Sequence, residues 1–136
     1  MANHHNHKVT NIALWTVQGL LAASFLMAGV MKAAQPIEVV VESIPSLAST
    51  PEGLIRFIGI SEIAGALGLL IPSIFRFKPF LTVWAALGLA LVMVLAVGFH
   101  AVRAEWQSVG VNVILLLLAL FIAWGRSAWV PVLAKS

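Results

Sequence analysis

The sequence predicts an all-α integral membrane protein: one domain of 136 residues folded as a bundle of four spanning helices. Three observations predict it. Hydrophobic residues make up 61% of the chain and charged residues 10%, whereas a soluble domain carries roughly 25% charge. Such a chain cannot cover a water-facing surface. The apolar residues collect in four runs, each close to the roughly 20 residues a helix needs to cross the hydrocarbon layer. The remaining charges gather toward the ends of those runs. In lipid each segment must satisfy its own backbone N–H and C=O groups, which makes every run a helix.

Taken in order, residues 1–9 read as a polar, disordered tail. His4, His5 and His7 lie there without other ligands nearby in sequence, so no metal site is expected. The first spanning helix is predicted over residues 10–32. It is too long, and lacks a cleavage site, to be a removable signal. A connection of about 20 residues follows, holding Pro36, Pro45, Pro51 and the acids Glu38, Glu42 and Glu52. Within it Ile37, Val40, Val41 and Ile44 fall at helical spacing, which predicts a short amphipathic helix on the membrane surface. The second span covers 53–71, started by Pro51 and ended or kinked by Pro72. A basic turn, Phe75–Pro79, leads to the third span at 80–100. The break Ala101–Glu105 leads to the fourth at 106–124, and residues 127–136 form a C-terminal tail. The four-helix domain thus occupies residues 10–126.

Small residues at helical spacing predict how the helices meet. Ser61 with Gly65 and Ala64 with Gly68 are such pairs in the second span. Ala22 and Gly29 play the same part in the first, Ala86 and Ala90 in the third. Lipid gives helices no hydrophobic reason to associate, so close backbone approach has to supply the contact.

Charge sets the expected orientation. Both termini and the turn at Arg76 and Lys78 fall on one side with Lys8, Arg126 and Lys135. The other side holds Lys32, Arg56 and Arg103, diluted by four glutamates. Cytoplasmic loops are enriched in Lys and Arg, so both termini are expected in the cytoplasm of a bacterial-type inner membrane. The net charge of +3 is spread over loops and helix ends, which makes nucleic acid an unexpected partner. The absence of cysteine excludes thiol, disulfide and Cys-zinc chemistry.

Within this frame Glu62 stands out. It lies about nine residues into its helix, roughly 13 Å along the axis. A carboxylate at that depth has to be paired, hydrated or protonated. Gln18, Ala22, Phe25, Gly29 and Lys32 share one face of the first helix, so a small or polar stripe leads inward from Lys32. Snorkelling of Lys32 to the headgroups is the alternative. His100 ends the third helix with Arg103 beyond it. The His100 imidazole can take up and release a proton and suits proton transfer, while bis-histidine haem ligation would lack a partner outside the tail. Glu105, Ser108 and Asn112 form a polar face on the fourth helix. Lys32, Arg56, Glu62, His100, Arg103, Glu105 and Asn112 are all expected in the outer half, and no comparable polar set is expected in the inner half. Two readings follow. One is a pocket for an amphiphilic molecule such as a quinone, with Glu62 and His100 as catalytic, proton-handling groups and Lys32, Arg56, Arg103, Glu105 and Asn112 as ligand-binding residues. The other is a buried ion network that closes one end of the bundle.

Four stretches carry a family resemblance. They are Phe25–Lys32, reading FLMAGVMK; Gly59–Pro72, reading GISEIAGALGLLIP; His100 with Arg103 and Glu105; and Ala123–Arg126, reading AWGR. Over residues 10–126 the chain resembles the DoxX-like family of small four-helix membrane proteins. The resemblance implies an integral membrane bundle and an association with redox systems. The family takes its name from a subunit associated with terminal quinol oxidation, and relatives are linked to thiosulfate–quinone and other redox systems. Relatives that handle thiols through cysteines offer no guide to a chain without one. The expected function is a redox-associated membrane subunit that binds quinone or another lipophilic small molecule. It would work with a membrane redox partner and self-associate, with no other cofactor called for. A membrane scaffold or stabilising subunit and a small proton-coupled transporter are the alternatives.

Overall fold

A computed structural model describes residues 2–136. It is an all-helical bundle whose helices are α1 (Ala2–Ala34), α2 (Ile37–Ser43), α3 (Glu52–Phe75), α4 (Phe80–Val102) and α5 (Trp106–Trp124). A 3₁₀ turn, Pro45–Ser49, links α2 to α3, and a π-helical turn, Gly125–Trp129, extends α5. Four of these helices are long and apolar enough to cross a membrane, which makes this a multi-pass membrane protein. Both termini and the α3–α4 turn lie at one end, the terminal end. The α1–α3 connection and the α4–α5 turn lie at the other, the loop end.

Two boundaries differ from expectation. Met1 lies outside the described residues, but from Ala2 onward the expected tail is helix continuous with α1. Residues 3–8 contain no Pro or Gly to stop it, and lengthening an existing helix avoids the cost of nucleating one. His7 rests its ring against Trp129 at 4.8 Å. Pro72 does not end the second span; α3 runs three residues past it, to Phe75, before Arg76 turns left-handed at φ 55°. The amide that Pro72 lacks falls in the last helical turns, where its loss is tolerable within a bundle.

The helices associate in sequence order. α1 packs chiefly on α3, α3 on α4 and α4 on α5, while α5 closes against α1 more sparingly. Leu21, Phe25, Leu69, Leu89, Met93 and Ile122 fill the shared core. Gly29 on α1 and Gly59 on α3 cross at backbone contact. A Cβ on Gly29 would lie 2.7 Å from the Gly59 carbonyl oxygen, and one on Gly59 would lie 2.6 Å from the Ala33 nitrogen. Gly65 makes room for Leu89 and Gly68 for Ala85, both on α4. Ala86 and Ala90 are buried as expected, but Ala64 faces outward and is no part of a seam.

The predicted amphipathic helix is α2, and it does more than rest on a surface. Val40 is completely buried and joins Leu47 and Ile55 in a second apolar cluster, with Ile37, Ile44 and Phe99 packed around it. α2 and the 3₁₀ turn therefore fold over the loop end as a cap.

Candidate functional site

The Gly29–Gly59 crossing decides what happens one turn further on. Lys32 and Glu62 each follow their glycine by three residues, on facing helices held at backbone contact. Lys32 accordingly turns inward, its Nζ donating to both Glu62 carboxylate oxygens at 2.9 Å. Glu62 is buried, with 2% of its surface exposed. Burying either ion alone costs several kcal/mol; together they present a neutral, hydrogen-bonded pair.

This pair borders a cavity of about 630 Å³ at the loop end, bounded by α3, α4 and α5 under the α2 cap. His100 and Asn112 also line it, joined by polar groups of Thr50, Ser61, Gln107 and Ser108. Most of the remaining wall is aliphatic or aromatic, with Ile58, Met93, Ala96 and Phe99 among the contributors. Leu54, Phe57, Leu95 and Val111 line the cavity while standing exposed on the outside of the bundle. The cavity therefore opens sideways, through the flank that lipid covers. Its volume lies within the range of about 300–1,000 Å³ usual for small-molecule pockets.

Of the seven residues singled out from the sequence, the structure brings Lys32, Glu62, His100 and Asn112 to one cavity. Arg56, Arg103 and Glu105 do not line it. Arg56 donates to the carbonyls of Lys32 at 3.0 Å and Gln35 at 2.6 Å, and to Glu52 at 3.0 Å. It satisfies the end of α1, where helix carbonyls lack intrahelical partners. Arg103 lies over the Phe99 ring at 3.7 Å and donates to Ser49, tying α4 to the 3₁₀ turn. Glu105 stands behind His100, its Oε2 3.6 Å from the imidazole Nδ1. That gap is too long for a hydrogen bond, and His100 Nδ1 and Glu105 Oε1 are both buried without partners. Thr50 and Gln107 went unnoticed in the sequence because nothing about a single polar residue in a connection or a first helical turn marks it as cavity-lining.

The expectation of a single polar end is incorrect. Gln18 shares the Lys32 face of α1, but 14 residues of helix place it about 21 Å away, at the terminal end. There it donates from Nε2 to the Leu69 carbonyl at 2.6 Å and accepts from Arg126 Nε at 2.6 Å. Arg126 is 4% exposed. Its Nη1 donates to Asn11 Oδ1 at 2.8 Å and to the Val130 carbonyl at 3.0 Å, and its guanidinium lies 5.0 Å from the centre of the Trp15 ring. The π turn aims Arg126 inward: the Val130 amide donates back five residues, to Gly125. Gly125 admits Leu14, whose side chain would lie 2.5 Å from any Cβ there. Nearby, the hydroxyls of Ser73 and Thr82 bond across the α3–α4 hairpin at 2.8 Å.

A family model described as the DoxX-like family matches residues 16–122. No curated protein and no solved structure matches the chain.

Proposed function

The chain belongs to the DoxX-like family, and from that premise and the loop-end cavity we propose that it is a redox-associated membrane subunit binding a quinone-type amphiphile. One observation carries the reading. The cavity gathers Lys32, Glu62, His100 and Asn112 in a largely apolar chamber that opens on the flank of the bundle. A quinone matches this division: its ring oxygens need hydrogen-bond donors and its tail needs lipid. Asn112 and the Lys32 ammonium supply donors to the head group. Glu62 and His100 are the groups suited to pass protons, with the Glu105 carboxylate 3.6 Å behind the imidazole. Electrons come from a membrane redox partner in this reading, and self-association uses the apolar outer faces of the helices. Orientation belongs to the same proposal: termini in the cytoplasm of a bacterial-type inner membrane, the cavity in the outer half.

The test is to purify the full chain in mild detergent, extract it with organic solvent and look for quinone absorbance. Thermal unfolding with and without a short-chain quinone accompanies the extraction. Co-extracted quinone, or a rise in melting temperature of several degrees, supports the reading. An empty protein with no shift defeats it.

A specific observation favours a second reading, a membrane scaffold. Lys32 and Glu62 satisfy each other at 2.9 Å, as a purely structural pair would. The double variant Lys32→Met/Glu62→Leu separates the two: a scaffold keeps its partner-stabilising role, whereas a quinone site loses its ligand.

A further inference from the structure

The terminal end poses a separate problem, independent of the loop-end cavity. Arg126 is a buried cation whose direct hydrogen-bond partners are all neutral: an amide oxygen of Gln18, one of Asn11 and the carbonyl of Val130. Among the described residues it makes no salt bridge, and its Nη2 is buried without a hydrogen-bond partner. A cavity of about 460 Å³ adjoins it, lined by Asn11, Trp15, Ser73, Arg76, Arg126 and Val130 with their apolar neighbours, and no acidic residue borders that space. Arg76 reaches the same cavity from the α3–α4 turn. It is held there by the C-terminal segment: its Nε donates to the Leu133 carbonyl at 2.8 Å, and the Lys135 amide donates to the Arg76 carbonyl at 2.9 Å. That contact engages Nε and leaves the two terminal nitrogens of Arg76 for another acceptor.

We propose that this cavity is a binding site for a phosphate-bearing anion, held between Arg126 and Arg76. A charge left uncompensated in a low-dielectric surrounding attracts a counter-ion far more strongly than one in water. Planar guanidinium groups are suited to the oxygens of a phosphate. Ser73 and Asn11 add neutral polar groups to the lining, and Trp15 provides an apolar wall. The chemistry is shared by the headgroup of an acidic phospholipid in the adjoining leaflet and by free inorganic phosphate. Basic pockets between spanning helices accept lipid headgroups elsewhere in membrane proteins.

The experiment measures thermal unfolding of the full chain at constant ionic strength, in nanodiscs of phosphatidylcholine alone, with added phosphatidylglycerol, and with inorganic phosphate in place of chloride. A rise of several degrees with phosphatidylglycerol identifies a lipid headgroup. A rise with phosphate alone identifies the free ion. No difference among the three overturns the proposal. Removing Arg126 risks the fold, so the decisive variants leave it in place. Asn11→Asp sets a carboxylate on the guanidinium that already bonds Asn11 at 2.8 Å. The variant should fold at least as stably and lose the anion response. Arg76→Gln, a change at an exposed residue, should cut the response at least several-fold. A full anion response retained by both variants also overturns the proposal.

Discussion

The two ends of this bundle bury charge in opposite ways. At the loop end Lys32 and Glu62 neutralise one another, so the neighbouring cavity faces a pair with no net charge. At the terminal end Arg126 is held by neutral groups, and the space beside it faces a net cation. The contrast separates two requirements that are easily merged. Hydrogen-bonding a buried ion removes the worst of its desolvation cost, while neutralising it requires an opposite charge. The loop end meets both requirements within the chain; the terminal end meets the first except at Arg126 Nη2 and leaves the second open. A largely apolar cavity beside a neutral pair suits an uncharged amphiphile, and a polar one beside an unneutralised guanidinium suits an anion.

The largest effect should come from splitting the loop-end pair. Glu62→Leu leaves the Lys32 ammonium without its anion, and removing one partner of a buried pair costs about 3–5 kcal/mol. Lys32 retains some solvent access, 14% of its side chain, which places the expected loss near the lower figure. The double variant Lys32→Met/Glu62→Leu should recover most of it, because replacing both ions with apolar groups is often neutral. Thermal unfolding in detergent measures both. If the double variant is as unstable as the single one, charge compensation is not what holds this end together.

Gln18→Leu is the matching cut at the terminal end. It removes the acceptor of Arg126 Nε and the donor to the Leu69 carbonyl, costing about 3 kcal/mol as an upper figure for a bond to a charged group. Asn11, Val130 and Trp15 still hold the guanidinium, so the loss should be smaller than that of Glu62→Leu. A loss exceeding that of Glu62→Leu would reverse the ranking of the two ends.

What the sequence made legible follows the same division. Depth along a helix is easily read, so Glu62 announced itself as an acid within a span; that Lys32 is its partner was not legible, because helical spacing gave Lys32 an inward direction but no neighbour. The four spans and the capping helix were legible from apolar runs and from the spacing of Ile37, Val40, Val41 and Ile44. Arg126 was hidden because a basic residue just past a predicted span counts equally well as a cytoplasmic anchor. Only the π turn and the missing side chain of Gly125 swing it into the bundle. Gln18 was read onto the correct face but its partners were not, since periodicity fixes direction around an axis and says less about which neighbours stand at each height. Arg56 and Arg103 misled for the converse reason. Both lie at helix ends and bond backbone carbonyls there, a role that needs no cavity.

The glycine crossing offers a smaller and more local test. Gly59→Ala would place a Cβ within 2.6–2.8 Å of α1 backbone and of Lys32 Cβ. Overpacking of this kind costs about 1–3 kcal/mol. Gly19→Ala, with nothing within 4 Å, is the control and should be neutral or slightly stabilising. Because the crossing sets the distance from Lys32 to Glu62, Gly59→Ala should also weaken any ligand response at the loop end and leave the anion response at the terminal end intact. Equal loss at both ends would mean that the bundle transmits the strain as one body.

The smallest effect belongs to Arg103, and it bears on where the loop-end site stops. Its guanidinium stacks on Phe99 at 3.7 Å and reaches Ser49 at 3.2 Å, both exposed-side contacts worth about 0.5–1 kcal/mol for the stack. Arg103→Gln should therefore lower stability by no more than that amount. Phe99 is a wall of the cavity and Arg103 is not, so the substitution acts on a ligand only by loosening that wall and its tie to the 3₁₀ turn. Quinone-dependent stabilisation should fall at most two- to threefold in apparent affinity, the change that about 0.5 kcal/mol represents. A tenfold loss would mean that the guanidinium touches the bound molecule directly, and that the cavity extends past Phe99 to the surface of the cap.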